Sequence, residues 1–423
     1  MRVGVIGAGI TGLALTHYLA ERDIDVVTVE ADSRPGGAIR SETVEGRLLE
    51  YGPQRIRLTP SIEALVDDLG LRDELLRADD SLPLYVYGDG HLRLVPRSPG
   101  AFLRTDLLSW RGKLRLLAEP LTDPARPDER AATLFRRKFG EEAYRNVVEP
   151  LFGGIYGSDP ATMPVEHSLE RLIALEERRG SLLRAAFGRL RGDDETPPPV
   201  SFANGLQTLP TALYEAHRPY VHLNASVDDI RDGDEEGYVL DLGGRTIDVD
   251  AVVVTTPAPA AASLLGGLSG AVAEPLEELT YNSLVLVHLA AEADAEGFGY
   301  QVRRDEPLET LGVTWNDGLF DRDGVYTVFL GGMHDPDAID RSDAELGRVA
   351  RREFRQVMGV DPELLSVTKL PRVMPAHDTS WAALEDVELP ENVVLATNYT
   401  SRIGVPSRIR EAKTVADRFA ADD

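Results

Sequence analysis

The first thirty residues restrict this chain more than any other stretch. An apolar run, Val3-Gly4-Val5-Ile6, meets Gly7-Ala8-Gly9-Ile10-Thr11-Gly12, and a helical pattern follows. A second β-branched run, Val26-Val27-Thr28-Val29, ends on Glu30. Strand, glycine turn, helix, strand and acid in this order predict a dinucleotide-binding βαβ unit. Gly7 allows the tight turn, Gly9 lets a pyrophosphate approach the backbone, and Gly12 lets helix and strand pack closely. The helix start offers unpaired N–H groups and a positive dipole end to phosphates. Glu30 lies 18 positions after Gly12, where it can accept hydrogen bonds from a ribose diol. Its charge favours FAD or NAD over NADP.

Composition narrows the class. A chain of 423 residues should hold two or three domains. Net charge is -26, and only Lys113, Lys138, Lys369 and Lys413 among the 45 bases are lysine. Such an acidic, lysine-poor surface argues against binding nucleic acid or an anionic membrane by charge alone, and it resembles either proteins of salt-loaded cytoplasms or a merely acidic protein of a GC-rich genome. The absence of cysteine excludes disulfides, thiol nucleophiles and Cys-based metal sites. The eight histidines show no HxxxH spacing, so no metal site is read. With the βαβ unit starting at residue 2, no leader is expected. The uncharged run 251–273 is long enough to span a bilayer, but Pro257 and Pro259 interrupt it. It reads as a buried strand, a turn and a short helix.

Further along, Ala31 to Gly37 is a polar loop with paired glycines, and a helix is expected over 61–69. Residues 84–96 alternate around Gly88-Asp89-Gly90 as a hairpin. The span 98–191 is helical in pattern and carries an amphipathic basic stretch that could rest on a membrane surface. Residues 192–199 read as a linker. Strands are then expected over 221–230, 238–242, 245–256, 283–289, 312–315, 325–330 and 390–396. Helices are expected over 343–358 and 407–420.

These residues together resemble one family, the FAD-dependent protoporphyrinogen oxidases of the amine-oxidase-like flavoproteins. The two glycine loops, Tyr51-Gly52-Pro53 with Ile56-Arg57, and Leu175-Glu176-Glu177 with Gly180-Ser181 are similar to its segments. So are 148–160 (VEPLFGGIYGSDP), 311–320 with 329–332, 252–257, and 398–406 (NYTSRIGVP). The resemblance implies an α/β (α+β) fold with two dinucleotide-type domains: a Rossmann-like FAD domain (1–80, 200–262, 388–423), a mixed-sheet substrate domain (81–96, 263–387) and a helical, membrane-facing subdomain (97–199). It implies FAD held by Gly7, Gly9, Ile10, Thr11, Gly12, Glu30, Ala31, Arg34, Gly36, Gly37, Gly52, Pro53, Gln54, Val227, Thr256, Asn398, Gly404, Val405 and Pro406. No catalytic side chain is assigned, because the flavin carries the chemistry. A porphyrinogen would be oxidised to a porphyrin in haem biosynthesis, with O₂ as acceptor. Leu84, Gly154, Leu284, Phe320, Phe329 and Arg57 are the expected substrate contacts. The expected setting is cytoplasmic or peripheral to the inner membrane face, as a monomer or homodimer.

Two departures from the family pattern stand out. Leu84 occupies the position of a propionate-pairing arginine, so either another cation such as Arg55, Arg57 or Arg93 takes that role or the substrate differs in its propionates. Thr397 stands where relatives have glycine. The rival readings are an amine oxidase, a desaturase or an inactive FAD-binding paralogue. The lack of lysine between Lys138 and Lys369 weighs against amine oxidation.

Overall fold

The computed structural model describes residues 1–126, 128–185, 197–233, 237–401 and 403–422. Five strands form an all-parallel sheet in the order Val221–His222, Asp25–Val29, Arg2–Ile6, Ala251–Val254, Val393–Leu395. Successive residues of its strands serve opposite faces. Val3, Val5 and Val253 pack with helices Ile10–Ala20 and Val405–Asp422. Val27, Val252 and Val254 pack with helix Ala258–Leu265 and a small antiparallel sheet. Burial on both faces explains why these strands read as continuous apolar runs.

The two long helices of the first face lie parallel, because Arg22, just past the end of one, pairs with Asp417 near the end of the other. Their amino ends therefore sit at the same edge of the sheet.

A seven-stranded mixed sheet forms the second layer system. Its order is Glu363–Pro375, Tyr281–Ala290, Val325–Gly331, Gly312–Trp315, Gly299–Val302, Leu84–Gly88, His91–Leu94. The early hairpin joins it through a parallel pairing, Leu84 opposite Gly299. One face, with Val285, Val287, Val328 and Leu330, is covered by Val349 and Phe354 of helix Asp343–Met358. Helices including Trp110–Leu117, Ala131–Phe139 and Glu149–Tyr156 make up the region after the hairpin.

The structure corrects several sequence-based boundaries. The expected strand over 221–230 is two strands, Val221–His222 and Asp229–Asp232, in different sheets. The expected strand over 245–256 likewise divides into Thr246–Val249 and Ala251–Val254. In both cases the polar interval lets the chain step from one sheet to the next. Pro199 is no linker residue but opens the buried strand Pro199–Phe202, while most of the expected linker lies outside the described residues. The 13-residue strand Glu363–Pro375 was not anticipated. The run 251–273 is a strand followed by helices, and no helix among the described residues is long and apolar enough to cross a membrane.

Candidate functional site

The glycine turn forms where the first strand ends. Gly7 N–H donates to Val29 O at 2.8 Å, which ties the turn to the second strand. Gly12 has no room for a side chain, since a Cβ would lie 1.9 Å from the Gly7 carbonyl oxygen. Gly9 faces open space and, as N-cap of helix Ile10–Ala20, provides no side-chain cap. The first N–H groups of that helix, including those of Thr11 and Gly12, are thus left to an outside acceptor. Glu30 closes the unit, its carboxylate accepting from Ala8 N–H at 2.7 Å and Asp32 N–H at 2.9 Å.

The second loop is bonded to the first. Gly36 N–H donates to Ala8 O at 2.8 Å. Arg34 acts as its pillar, donating to the carbonyl oxygens of Pro35, Ile39 and Gly37 and to Gln207 Oε1. Ala31 is exposed beside it. Gly52 continues the cradle, because a Cβ there would lie 2.0 Å from Ala38 O. Pro53 follows, and Gln54 is buried, donating to Glu50 O and Gly52 O and accepting from Asn316 Nδ2 and Thr327 Oγ1.

At the same sheet edge, Gly404 takes φ +117° and faces open space at the start of helix Val405–Asp422, with Pro406 in its first turn. Thr256 Oγ1 is buried with no hydrogen-bond partner among the described residues. Val227 and Asn398 are part-buried. Thr397 uses its hydroxyl to hold a turn with Thr400, at 3.1 Å, so its hydroxyl has a structural partner that a glycine would lack. Sequence reading missed Thr255, whose hydroxyl donates to Ile6 O at 2.9 Å or Gly7 O at 3.1 Å and braces the glycine turn. Its position at the end of an apolar strand was the available signal.

The open face of the seven-stranded sheet gathers most of the expected substrate contacts. Register places Leu286, Phe329, Gly312, Gln301 and Val86 in one row. His288, Thr327, Thr314, Gly299 and Leu84 form the next row on the same side. Leu284, two residues before Leu286, shares that face. Gly154 lies against it, since a Cβ there would come within 1.8 Å of Gln301 Oε1. Gln54 bridges this face to the glycine cradle through Thr327.

At the end of the face, Leu84 and Phe320 cluster with Leu82, Phe298 and Leu319. Two guanidinium groups lie over the Phe298 ring, Arg55 at 5.0 Å and Arg97 at 5.8 Å from its centroid. Among the described residues Arg55 has no ion pair or hydrogen bond. Burial, with the charge of Arg57 second, draws its pKa down to about 10. Arg57 itself is committed to Asp80, at 2.6 Å, and to Pro197 O. Arg93 is held by Asp89 at 2.8 Å and approached by Asp106. Lys369 pairs across from Val285, on the helix-covered face, and donates to Arg341 O.

Likeness to known proteins decides the family. The sequence profile of flavin containing amine oxidoreductases matches residues 10–419. The chain belongs to that family. Among similar proteins of this flavin amine oxidoreductase, coproporphyrinogen III oxidase of Staphylococcus aureus is 27% identical, with 99% of each chain covered. A chloroplastic protoporphyrinogen oxidase of Oryza sativa is 28% identical over 88% of this chain and 78% of its own length. In fold, the chain matches a crystal structure from Exiguobacterium sp. 255-15, a protein provisionally named a protoporphyrinogen oxidase, with a TM-score of 0.83, 23% identity, and 100% and 99% coverage. Putrescine oxidase shares the fold at a TM-score of 0.76 and 16% identity, with the same coverage.

A flavin in this family, bound through a dinucleotide loop, is FAD, and the chain is an FAD-dependent oxidoreductase. The residues fit that cofactor. The uncapped start of helix Ile10–Ala20 gives anion-binding N–H groups, Gly404 leaves open space at the start of helix Val405–Asp422 on the same edge, and the orphaned Thr256 hydroxyl lies beside the first glycine turn.

Proposed function

We propose that the protein oxidises a porphyrinogen to a porphyrin, with O₂ as the final acceptor. Bound flavin supplies the hydride acceptor, and the side chains position the substrate. Gly7, Gly9, Gly12, Glu30, Gly36, Gly37, Gly52 and Gly404 hold the dinucleotide. The start of helix Val405–Asp422 directs its positive end toward the cofactor, which favours added negative charge. Leu84, Leu284, Phe320 and Phe329 form the apolar wall against a flat macrocycle, and Gly154, packed against Gln301, borders it.

The observation that carries this reading is the arginine–aromatic corner. Arg55 is a part-buried cation without a carboxylate partner among the described residues, set beside Phe298 and next to Leu84. An anionic side arm such as a propionate satisfies it, with a charge-assisted bidentate bond available. A cationic amine meets repulsion there. Arg55 thereby takes the role that Leu84 cannot fill, and Arg57 supports the local positive field while bonded to Asp80.

Anaerobic mixing of the FAD-loaded protein with coproporphyrinogen III and with protoporphyrinogen IX tests the reading. Bleaching of the flavin absorbance by either supports it; an unchanged spectrum with both, alongside bleaching by an amine, overturns it.

The helical region is the part proposed to touch a membrane surface. Leu103, Trp110, Leu114, Leu117 and Leu121 are exposed large apolar side chains. Arg104 and Arg111 lie among them. Nearby, an apolar cavity of about 270 Å³ is lined by Phe102, Leu108, Phe139 and Leu183. Co-sedimentation with anionic vesicles that is lost in Trp110→Ser/Leu114→Ser supports this contact.

A further inference from the structure

The carboxyl ends of three helices meet at a point far from the glycine cradle. His17 lies in the last turn of helix Ile10–Ala20, Glu21 follows it, Asp68 ends helix Pro60–Asp68, and His217 follows helix Thr208–Ala216. We propose that this junction is a divalent-cation site, with His17 Nε2, Glu21 and Asp68 as ligands and His217 behind them.

The His17 ring is buried, 5% exposed, and its Nε2 has no hydrogen-bond partner among the described residues. That nitrogen lies 3.5 Å from Glu21 Oε2 and 3.8 Å from Asp68 Oδ2. Both spacings exceed an N–H···O bond. They suit two ligands on one ion, because bonds of ~2.0–2.2 Å in a tetrahedral array set ligand atoms ~3.4 Å apart. All three ligand atoms fall within 4.8 Å of one another. The other ring nitrogen, Nδ1, lies 2.9 Å from His217 Nε2, so one proton sits between them. With that proton on His17, the Nε2 lone pair faces the two carboxylates, an arrangement that a cation resolves. A ligating histidine is usually fixed in one tautomer by an acceptor on its other ring nitrogen, a carboxylate, a carbonyl or water, and His217 Nε2 fills that place here.

Electrostatics act in the same direction. Three helix carboxyl ends bring their partial negative charges to the junction. Arg22, one turn beyond His17, is occupied by Tyr18 O and Asp417, and Arg72 by Asp67. One nitrogen and two oxygens, with both carboxylates about half exposed to water, suit a first-row dication such as Zn²⁺ better than Mg²⁺. The ion would clamp the far end of the helix whose start faces the dinucleotide.

The test is calorimetric titration of chelator-treated, FAD-loaded protein with Zn²⁺ in 1 M KCl, where diffuse binding to the acidic surface is screened. The expected result is one saturable Zn²⁺ per chain, a raised thermal midpoint, and no displacement by equimolar Mg²⁺. Glu21→Gln and Asp68→Asn, both at exposed side chains, should each weaken binding at least tenfold and remove the midpoint shift; His17→Gln should do the same. Absence of stoichiometric binding in the wild type, or unchanged affinity in Glu21→Gln and Asp68→Asn, overturns the proposal.

Discussion

The Glu50 carboxyl, next to the Tyr51-Gly52-Pro53 segment, gives the protein a pH-dependent stability that a single substitution should remove. It is 5% exposed, accepts from Ser41 Oγ at 2.6 Å and from Leu206 N–H at 2.9 Å, and lies within the field of Arg322. Burial outweighs these and raises its pKa from 4.5 to about 7. A folded-state pKa above the unfolded one means that the native state holds the proton more tightly. Stability is therefore highest below pH 4.5, falls as pH rises through the interval to 7, and levels off above it. At roughly 1.4 kcal/mol per pH unit, the loss across the interval is at most ~3 kcal/mol. The wild-type profile alone will not display this, because the buried His288 has its pKa lowered from 6.5 to about 4 by desolvation and acts oppositely over nearly the same range. A base with a depressed folded pKa contributes stability above 6.5 that is lost as pH falls toward 4. The informative quantity is the difference between wild type and Glu50→Gln in urea unfolding from pH 4.5 to 8. The substituted amide keeps an acceptor for Leu206 N–H and cannot ionise, so the variant should gain on the wild type by ~3 kcal/mol between those limits. A difference that stays flat with pH refutes the reasoning.

Gly12→Ala places a methyl group 1.9 Å from Gly7 O; the purified variant should lose at least nine-tenths of its bound flavin, read as the ratio of flavin to protein absorbance. Arg55→Leu should raise KM for the porphyrinogen about tenfold or more, equivalent to ~1.4 kcal/mol, with a smaller change in kcat, in steady-state assays. Lys138 is fully buried, pairs with Glu176 and lies 3.6 Å from Glu119. Lys138→Met leaves two buried carboxylates uncompensated and should cost about 3–5 kcal/mol in denaturant unfolding, part of which Lys138→Met/Glu176→Gln should recover.

What could be read from the residues depended on how local the physical constraint was. The glycine turn was legible because steric exclusion at Gly12 and Gly52 leaves only one residue type, and the neighbours in sequence supply the rest. Helix 343–358 was legible in the sequence, and the structure gives the same bounds, with Ser342 capping its start and Gly359 its end. Strand Glu363–Pro375 was not, because Pro371 sits in its middle; the strand lies at the sheet edge, where an absent N–H is tolerated. For the substrate wall, alternation could nominate Leu84, Leu284 and Phe329, but only the register through Gly299, Gly312 and Gly331 puts them on one face. The choice among Arg55, Arg57 and Arg93 needed their partners. Asp80 and Asp89 occupy two of these cations, and Arg55 remains beside Phe298. The helix junction is the extreme case. His17 and Glu21 stand four apart, a spacing that a search for paired histidines passes over, and His217 is 200 positions from His17 in the chain. Their convergence follows from how helix Thr208–Ala216 packs on Ile10–Ala20 and helix Pro60–Asp68 packs on Val405–Asp422, within one apolar cluster that includes Leu65, Leu209 and Leu213, side chains that carry no chemistry of their own. Packing of apolar residues thus decides which polar groups meet, and that is the information a linear reading lacks.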